Sequence, residues 1–465
     1  MLTEWQTVSP DAADPLGRKL VGLSFAGDPV ARGLVEKLAE SGILEVLELA
    51  TGLRVHTTSY VGRVELGPLH LDIRPKIPPP ALLALLRYAY GLRDLRLVGI
   101  VDLDRGQLVF PDLLIHQLVA EVSELISRGL HRKYVRQREE LATPRGRIDF
   151  ASLARRARPA SPALPCWHNP RVSDCLINQV LLAGLREAEI LAQDDALRAR
   201  VRRFASMLAE EVAPVRVDRE TLRRVHLQMD RLTTSYRPAL TLVEMLVSGC
   251  GLSVEPDPRH PRSAEFPRIP GYLFDMNRFF QVLVMRFLSE NLAGYSVYPE
   301  FRLKGILGYV PGYEAPRGGI PEPRPDIVIV PLGSPPFSAR ERAAWEQPRT
   351  VLETSRGRTF TVLDVKYRDL WQNPLPPHML YQVAMYALSQ PEGRAAIIYP
   401  TLSTDAREVR LEVRDPVSGS RKAEVAVRPL NVNYLAELIQ EPSTSFTAQR
   451  QREAYARYVA FPTDR

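Results

Sequence analysis

The sequence predicts an α+β multidomain fold in three parts: a β-rich N-terminal module, a helical middle and a C-terminal α/β core. Three observations carry that expectation. The 465 residues are 45% hydrophobic and 25% charged, which is enough apolar content for several cores. Apolar and polar residues alternate within 55–73, the period of a strand, and from Pro111 the period becomes helical. Beyond a proline-dense stretch at 255–270, helical and strand-like runs interleave in the order of a compact α/β core. The expected divisions are 1–110, 111–255, 270–430 and 431–465, the last a helix and tail.

Within the first module, 20–25 and 44–49 are short apolar runs. Val64 and Leu66, then Leu69, Leu71 and Ile73, point to one face, with Gly67-Pro68 between them as the turn of a β-hairpin. The second strand ends in Arg74-Pro75-Lys76, and a helix is expected over 81–91 with Gly91 as its C-cap. In the middle, Leu113, Leu114, Leu118, Val122, Leu125 and Ile126 form an apolar stripe that ends near Gly129. Further helices are expected at 172–192, 195–210, 218–229 and 238–248. Cations crowd 128–158, among them Arg132, Lys133, Arg136, Arg145 and Arg147. Such a run fits a solvated face, phosphate contact or an acidic protein partner.

The last core begins with a helix over 274–292 that turns Phe279, Phe280, Leu283, Val284 and Phe287 inward. Strands are expected at 295–303, 326–330, 360–365 and 395–399, a loop over most of 331–358, a helix at 377–388, and a late hairpin from 409–413 and 423–427. Chemistry concentrates here. Asp326 precedes an apolar strand, and Asp364 and Lys366 lie two apart at the end of another. A two-residue period puts these two side chains on one face, while Val365 turns away and leaves its backbone carbonyl near the same edge. Two carboxylates and a carbonyl are hard oxygen donors suited to Mg²⁺. Such an ion would polarise a phosphodiester, with Lys366 orienting water or stabilising the developing charge. A strand-end Asp that merely caps a turn is the competing reading.

Pro325-Asp326 with Asp364-Val365-Lys366 resembles the PD-(D/E)xK nuclease signature. Gln382 and Tyr386, at i and i+4 on the following helix, match the Q-x-x-x-Y element of one branch of these nucleases. The resemblance implies a restriction-endonuclease-like core in which Asp326, Asp364, Lys366, Gln382 and Tyr386 serve catalysis, with metal held by Asp326, Asp364 and Val365. Related nucleases often carry Glu on the first helix where this chain has Gln281. Glu300 is a further candidate outer ligand. Only seven of the 61 Lys and Arg residues are lysine, and one of them, Lys366, stands at the position the signature requires.

The net charge of +7 permits an anionic partner without demanding one. Three cysteines without a C-x-x-C pair support neither a disulfide framework nor a zinc ribbon, so a cytoplasmic location is expected, and no run is long and apolar enough for a membrane span. No P-loop, G-x-S-x-G or H-E-x-x-H occurs. Beyond the acids, the chain resembles the McrC family, the nuclease subunits of McrBC-type modification-dependent restriction systems. The match runs through Tyr60-Val61-Gly62-Arg63-Val64, Leu71-Asp72-Ile73-Arg74-Pro75-Lys76-Ile77, the segment from Gly129 to Ile148, Asn178, Tyr236-Arg237-Pro238 and Phe274-Asp275-Met276-Asn277. That resemblance implies an endonuclease that cuts double-stranded DNA with Mg²⁺. Its expected partner is a McrB-like AAA+ hexamer that binds GTP, reads modified cytosine and has its GTPase stimulated by this chain. Arg63, Arg74 and Lys76 are then expected near the partner, and Arg132, Lys133, Arg136, Arg145 and Arg147 on DNA. A nuclease of the same fold in another defence or repair complex, without methyl dependence, and a non-catalytic AAA+ activator remain alternatives at this point.

Overall fold

The computed structural model describes residues 1–94, 110–155, 163–250, 271–300, 303, 310, 323–332, 360–390, 392–441 and 445–461. The expected linker at 255–270 and nearly all of the loop at 331–358 lie outside them, as do Arg156 and Arg158. The fold is α+β, built from several sheets with helices packed on them. It divides into two compact units. One contains Met1–Val61, Leu66–Leu92 and Asp275–Arg465; the other contains Gly62–Glu65 and Arg93–Phe274.

The first unit opens with strands β1 (Leu2–Thr3) and β2 (Thr7–Val8), helix α1 (Pro29–Glu40), strands β3 (Leu44–Leu49) and β4 (Gly52–Thr57), the ends of strand β5 (Tyr60–Leu66), whose residues Gly62–Glu65 belong to the second unit, its hairpin partner β6 (Leu69–Arg74), and helix α2 (Pro79–Tyr90). Helix α1 is absent from the sequence expectation, although its start is written in Asp28-Pro29. The Asp28 carboxylate accepts from the amides of Val30 and Ala31, and Pro29 takes the first helical turn, where no amide is needed. Strands β2, β4 and β3 pair antiparallel, and β1 runs parallel to β6 with Thr3 opposite Arg74. Helix α2 ends as its sequence suggests, with Gly91 at φ +66° closing the last turn.

After residue 275 the same unit continues with helix α3 (Met276–Asn291) and strands β7 (Tyr295–Pro299), β8 (Ile327–Pro331) and β9 (Thr361–Val365). Helix α4 (Pro377–Leu388), strands β10 (Arg394–Thr401), β11 (Val409–Arg414) and β12 (Arg421–Asn431), and helices α5 (Val432–Gln440) and α6 (Phe446–Ala460) complete it. The helix expected from residue 274 starts at Met276 instead. Gly271–Asp275 is a strand, and Asp275 caps the helix by accepting from the amides of Asn277 and Arg278. The six strands order β7-β8-β9-β10-β12-β11, with β9, β10 and β12 parallel and the outer pairs antiparallel. Val383, Tyr386 and Ala387 of α4 bury against Val328, Val362, Ile397 and Val425. Asp364 lies two residues from Val362, so it shares the sheet face that α4 covers.

The second unit carries helices Phe110–Arg128, Leu176–Leu191, Asp195–Ala209, Arg219–Gln228 and Arg237–Cys250. Between the first two, the basic segment forms short strands. Gln137–Leu141 and Arg147–Ile148 flank Leu164–His168, and Lys133–Tyr134 pairs with Arg171–Val172, where a helix was expected from 172. A buried brace anchors this segment. Tyr236 donates its hydroxyl to Asn178 Oδ1 (2.9 Å) and accepts from His131 N (2.7 Å), while Asn178 Nδ2 donates to His131 O (2.9 Å). Among the described residues, no helix is long and apolar enough to cross a membrane.

Candidate active site

Strands β8 and β9 are neighbours, and their ends bring the two acids and the lysine together. Asp326, at the entrance to β8, is held by two donors: Gln281 Nε2 of α3 at 3.0 Å on Oδ1, and the Val365 amide at 2.7 Å on Oδ2. Lys366 Nζ stands 3.0 Å from Asp364 Oδ2 and 3.9 Å from Asp326 Oδ2. Asp364 is 1% exposed, and neither of its oxygens has a well-directed hydrogen bond, so its contact with Lys366 is an ion pair only. A buried carboxylate left this bare is costly unless a cation attends it.

Two carboxylates share one ammonium, and the balance shows at Asp326 and at Lys366. Burial first, then the negative charge of Asp364, pushes Asp326 up to about 6, against the opposing pull of Lys366 and the Val365 amide. Burial alone would push the Lys366 ammonium down; Asp364 and then Asp326 more than offset it and hold it above its ordinary value. Tyr386, 1% exposed in the core under the sheet, is raised mainly by burial and next, on that side of the balance, by the charge of Asp364. Gln382 Nε2 donates to the Tyr386 hydroxyl at 2.8 Å. The i, i+4 pair is thus formed, with Tyr386 in both the core and the field of the acids.

The residues fit a hard divalent ion. The Asp364 oxygens, which no hydrogen bond satisfies, and the buried Asp326 carboxylate are the donor set that Mg²⁺ accepts, and Mg²⁺ takes its remaining ligands from water and phosphate. Among the described residues no group of three His, Cys, Asp or Glu side chains gathers, so the protein offers two carboxylates and no closed cage. Val365 contributes its amide to Asp326, a role that its expected carbonyl ligation did not anticipate. Gln281 touches Asp326 as a hydrogen-bond donor. Glu300 is exposed, takes the left-handed φ of +47° and donates its amide to Asp326 O at 2.9 Å, so its place at the site is a backbone one.

A family model described as McrBC 5-methylcytosine restriction system component matches residues 55–307. The chain belongs to that family. No curated protein matches it. Among solved structures, the chain is similar to one in the refined half-complex of the tetradecameric assembly of Thermococcus gammatolerans McrB AAA+ hexamers with bound McrC. The likeness has a TM-score of 0.60 at 17% identity, over 97% of this chain and 98% of that one. A chain of the Thermococcus gammatolerans McrBC complex aligns over 64% of this chain and 88% of its own, with a TM-score of 0.42 at 20% identity. At these identities the first likeness speaks for the fold alone.

The McrBC family match ends before Asp326, so the acids stand on their geometry. Arg132, Lys133, Arg136, Arg145 and Arg147 lie on the basic segment, and Arg136 sits over the Trp167 ring at 4.6 Å. All five are exposed. Arg63 reaches Gln193 Oε1 at 2.6 Å and Glu65 at 3.3 Å within the second unit. In the first unit, Arg74 stands 3.9 Å from Asp72, and Lys76 is exposed while its amide donates to Glu4 Oε1 at 2.7 Å. Sequence reasoning passed over Glu4, Trp5 and Tyr367, which meet directly behind Lys366.

Proposed function

We propose that this chain is the DNA endonuclease subunit of a McrBC-like, GTP-dependent complex that restricts DNA carrying modified cytosine, and that its C-terminal unit is a PD-(D/E)xK nuclease core. The observation that carries this reading is the bare, buried Asp364 carboxylate beside Asp326 and Lys366 on adjoining strand ends. Bound Mg²⁺ supplies Lewis acidity toward a phosphodiester. The chain's own residues do the rest. Gln281 and the Val365 amide fix the Asp326 carboxylate, and Asp364 offers two oxygens already stripped of competing hydrogen bonds. Lys366 stays protonated between them and stabilises negative charge that develops on the phosphate. Gln382 and Tyr386 border the same site and position the lysine side of it.

The missing P-loop assigns GTP to another chain. In the similar assembly McrC is bound to McrB AAA+ hexamers, and by that likeness the partner here is an AAA+ hexamer whose GTPase this chain stimulates. Arg63, Arg74 and Lys76 face that partner in this reading, and the cations Arg132, Lys133, Arg136, Arg145 and Arg147 meet double-stranded DNA through its phosphates. Cleavage of methylated DNA by the assembled complex with GTP and Mg²⁺ tests it. Asp364→Ala is expected to lower cutting about a thousandfold or more, on the order of other removals of an essential catalytic group, while GTPase stimulation and assembly persist. Undiminished cutting would remove Asp364 from the mechanism.

A further inference from the structure

We propose that Glu4 and Trp5 are positioning residues for the nuclease site: together they grip Tyr367 and so hold Lys366 against Asp364. The inference rests on the nuclease reading above. Tyr367 directly follows Lys366, and all three of its polar groups are engaged. Its amide donates to Asn277 Oδ1 (3.3 Å), its carbonyl accepts from Trp5 Nε1 (3.0 Å), and its hydroxyl donates to Glu4 Oε1 (2.9 Å). The Lys366 amide is fixed in turn to Ile398 O at 2.9 Å. Beyond the ring, Arg368 lies over Trp5 at 5.4 Å, so the residues flanking Tyr367 are bound on both sides.

The grip has features that stability alone disfavours. Glu4 is 1% exposed and its Oε2 has no hydrogen-bond partner, a burden that a well-packed apolar residue would avoid. Trp5 takes a φ of +56°, which a bulky side chain adopts only where its surroundings enforce it. Glu4 is also tied to the end of the hairpin, while the Trp5 amide donates to Thr58 O at 3.1 Å. Glu4 N donates to Arg74 O at 3.1 Å, and Glu4 Oε1 accepts from Lys76 N at 2.7 Å. One carboxylate oxygen therefore joins the Arg74-Pro75-Lys76 segment, expected at the AAA+ partner, to the residue next to the lysine. A displacement there would reach Lys366 through Tyr367.

The test uses the full chain and conservative variants. Trp5→Phe and Tyr367→Phe each remove one hydrogen bond while keeping an aromatic ring. In the assembled complex with GTP and Mg²⁺, each is expected to lower kcat for DNA cleavage about tenfold or more, with KM for DNA within about twofold. The double variant is expected to be no worse than the weaker single, because both act through Tyr367. Glu4→Gln, which keeps the Oε1 acceptor, is expected to cut nearly as well as the parent, whereas Glu4→Ala falls with Tyr367→Phe. A second readout needs no activity. With only seven lysines in the chain, acetylation by an amine-reactive ester can be followed site by site, and Lys366 is expected to label several-fold faster in both Phe variants while Lys19 and Lys422 are unchanged. Unchanged kcat and unchanged Lys366 labelling, with only a lowered melting temperature, would reduce the grip to a structural role and overturn the proposal. Failure of the nuclease reading is separate: it appears as a parent complex that does not cut, or as cutting by Asp364→Ala, and leaves the labelling result intact.

Discussion

Asp364 sets the electrostatic balance of the first unit. Its carboxylate is buried beside a second carboxylate, with one lysine between them, and no amide or hydroxyl satisfies it. Removing its charge relieves repulsion with Asp326 and leaves Lys366, which still reaches solvent, paired to Asp326. Metal-free Asp364→Asn is therefore expected to be more stable than the parent by about 1 kcal/mol, as active-site charges are commonly held at the expense of stability. Millimolar Mg²⁺ should raise the melting temperature of the parent and leave that of the variant unchanged. Thermal unfolding with and without Mg²⁺ measures both, and a parent that ignores Mg²⁺ would argue against the metal site. Glu4 offers a second residue-level test. Burial, against three weaker opposing contacts, pushes its carboxyl up to about 7 from 4.5, so the folded state favours the protonated acid. Its stabilising contribution is complete below pH 4.5 and is lost as pH rises through 7. Between these values the parent should lose up to about 3 kcal/mol at this group, a slope that Glu4→Gln removes in denaturant titrations run at several pH values.

Elements differ in how plainly their residues announce them. Helix α2 was legible because prolines open it, leucines recur at helical spacing and Gly91 ends it at positive φ. The strand Gly271–Asp275 was not, because Asp275 is both the last strand residue and the helix cap, and five residues carry too little period to separate from the helix that follows. The ribbons at 133–148 were hidden for another reason: most of their residues are exposed and many are charged, so no apolar alternation marks them. Their function is tested by salt. Replacing Lys133, Arg136 and Arg147 with Ala should weaken DNA binding similarly across sequences and flatten the dependence of log affinity on log salt by about 0.9 for each phosphate no longer neutralised. An unchanged slope would move DNA elsewhere on the chain. Packing between helices makes a sharper element-level prediction. A Cβ on Gly184 would stand 2.2 Å from Val243 Cγ2, so Gly184→Ala must push the Leu176–Leu191 and Arg237–Cys250 helices apart. A destabilisation of about 2 kcal/mol is expected in urea unfolding, and adding Val243→Ala should recover much of it.

On the scale of the molecule, the unit that holds the site is assembled from distant parts of the chain. Asp326, Asp364 and Lys366 could be read from one stretch, because a strand's two-residue period and a short motif keep them local. Glu4 could not be read in this way: its partner Tyr367 lies 363 positions away, and no local pattern encodes such a pairing. The same distance explains why the C-terminal core looked self-sufficient in sequence. In the structure α3 leans on α2, with Phe279 stacked on Tyr90 at 6.3 Å, Arg286 over Tyr88 at 5.2 Å, and Asn291 Nδ2 donating to the Tyr88 hydroxyl at 3.4 Å. A fragment of residues 275–465 would expose that face of α3, leaving Tyr367 without Glu4 and its own hydrophobic helix without cover. It is expected to lack a cooperative thermal transition and near-ultraviolet circular dichroism, and co-expression with residues 1–92 should restore both. Cooperative unfolding by 275–465 alone would mean that the C-terminal segment carries a complete core, and that the N-terminal residues serve only to tune the site it already contains.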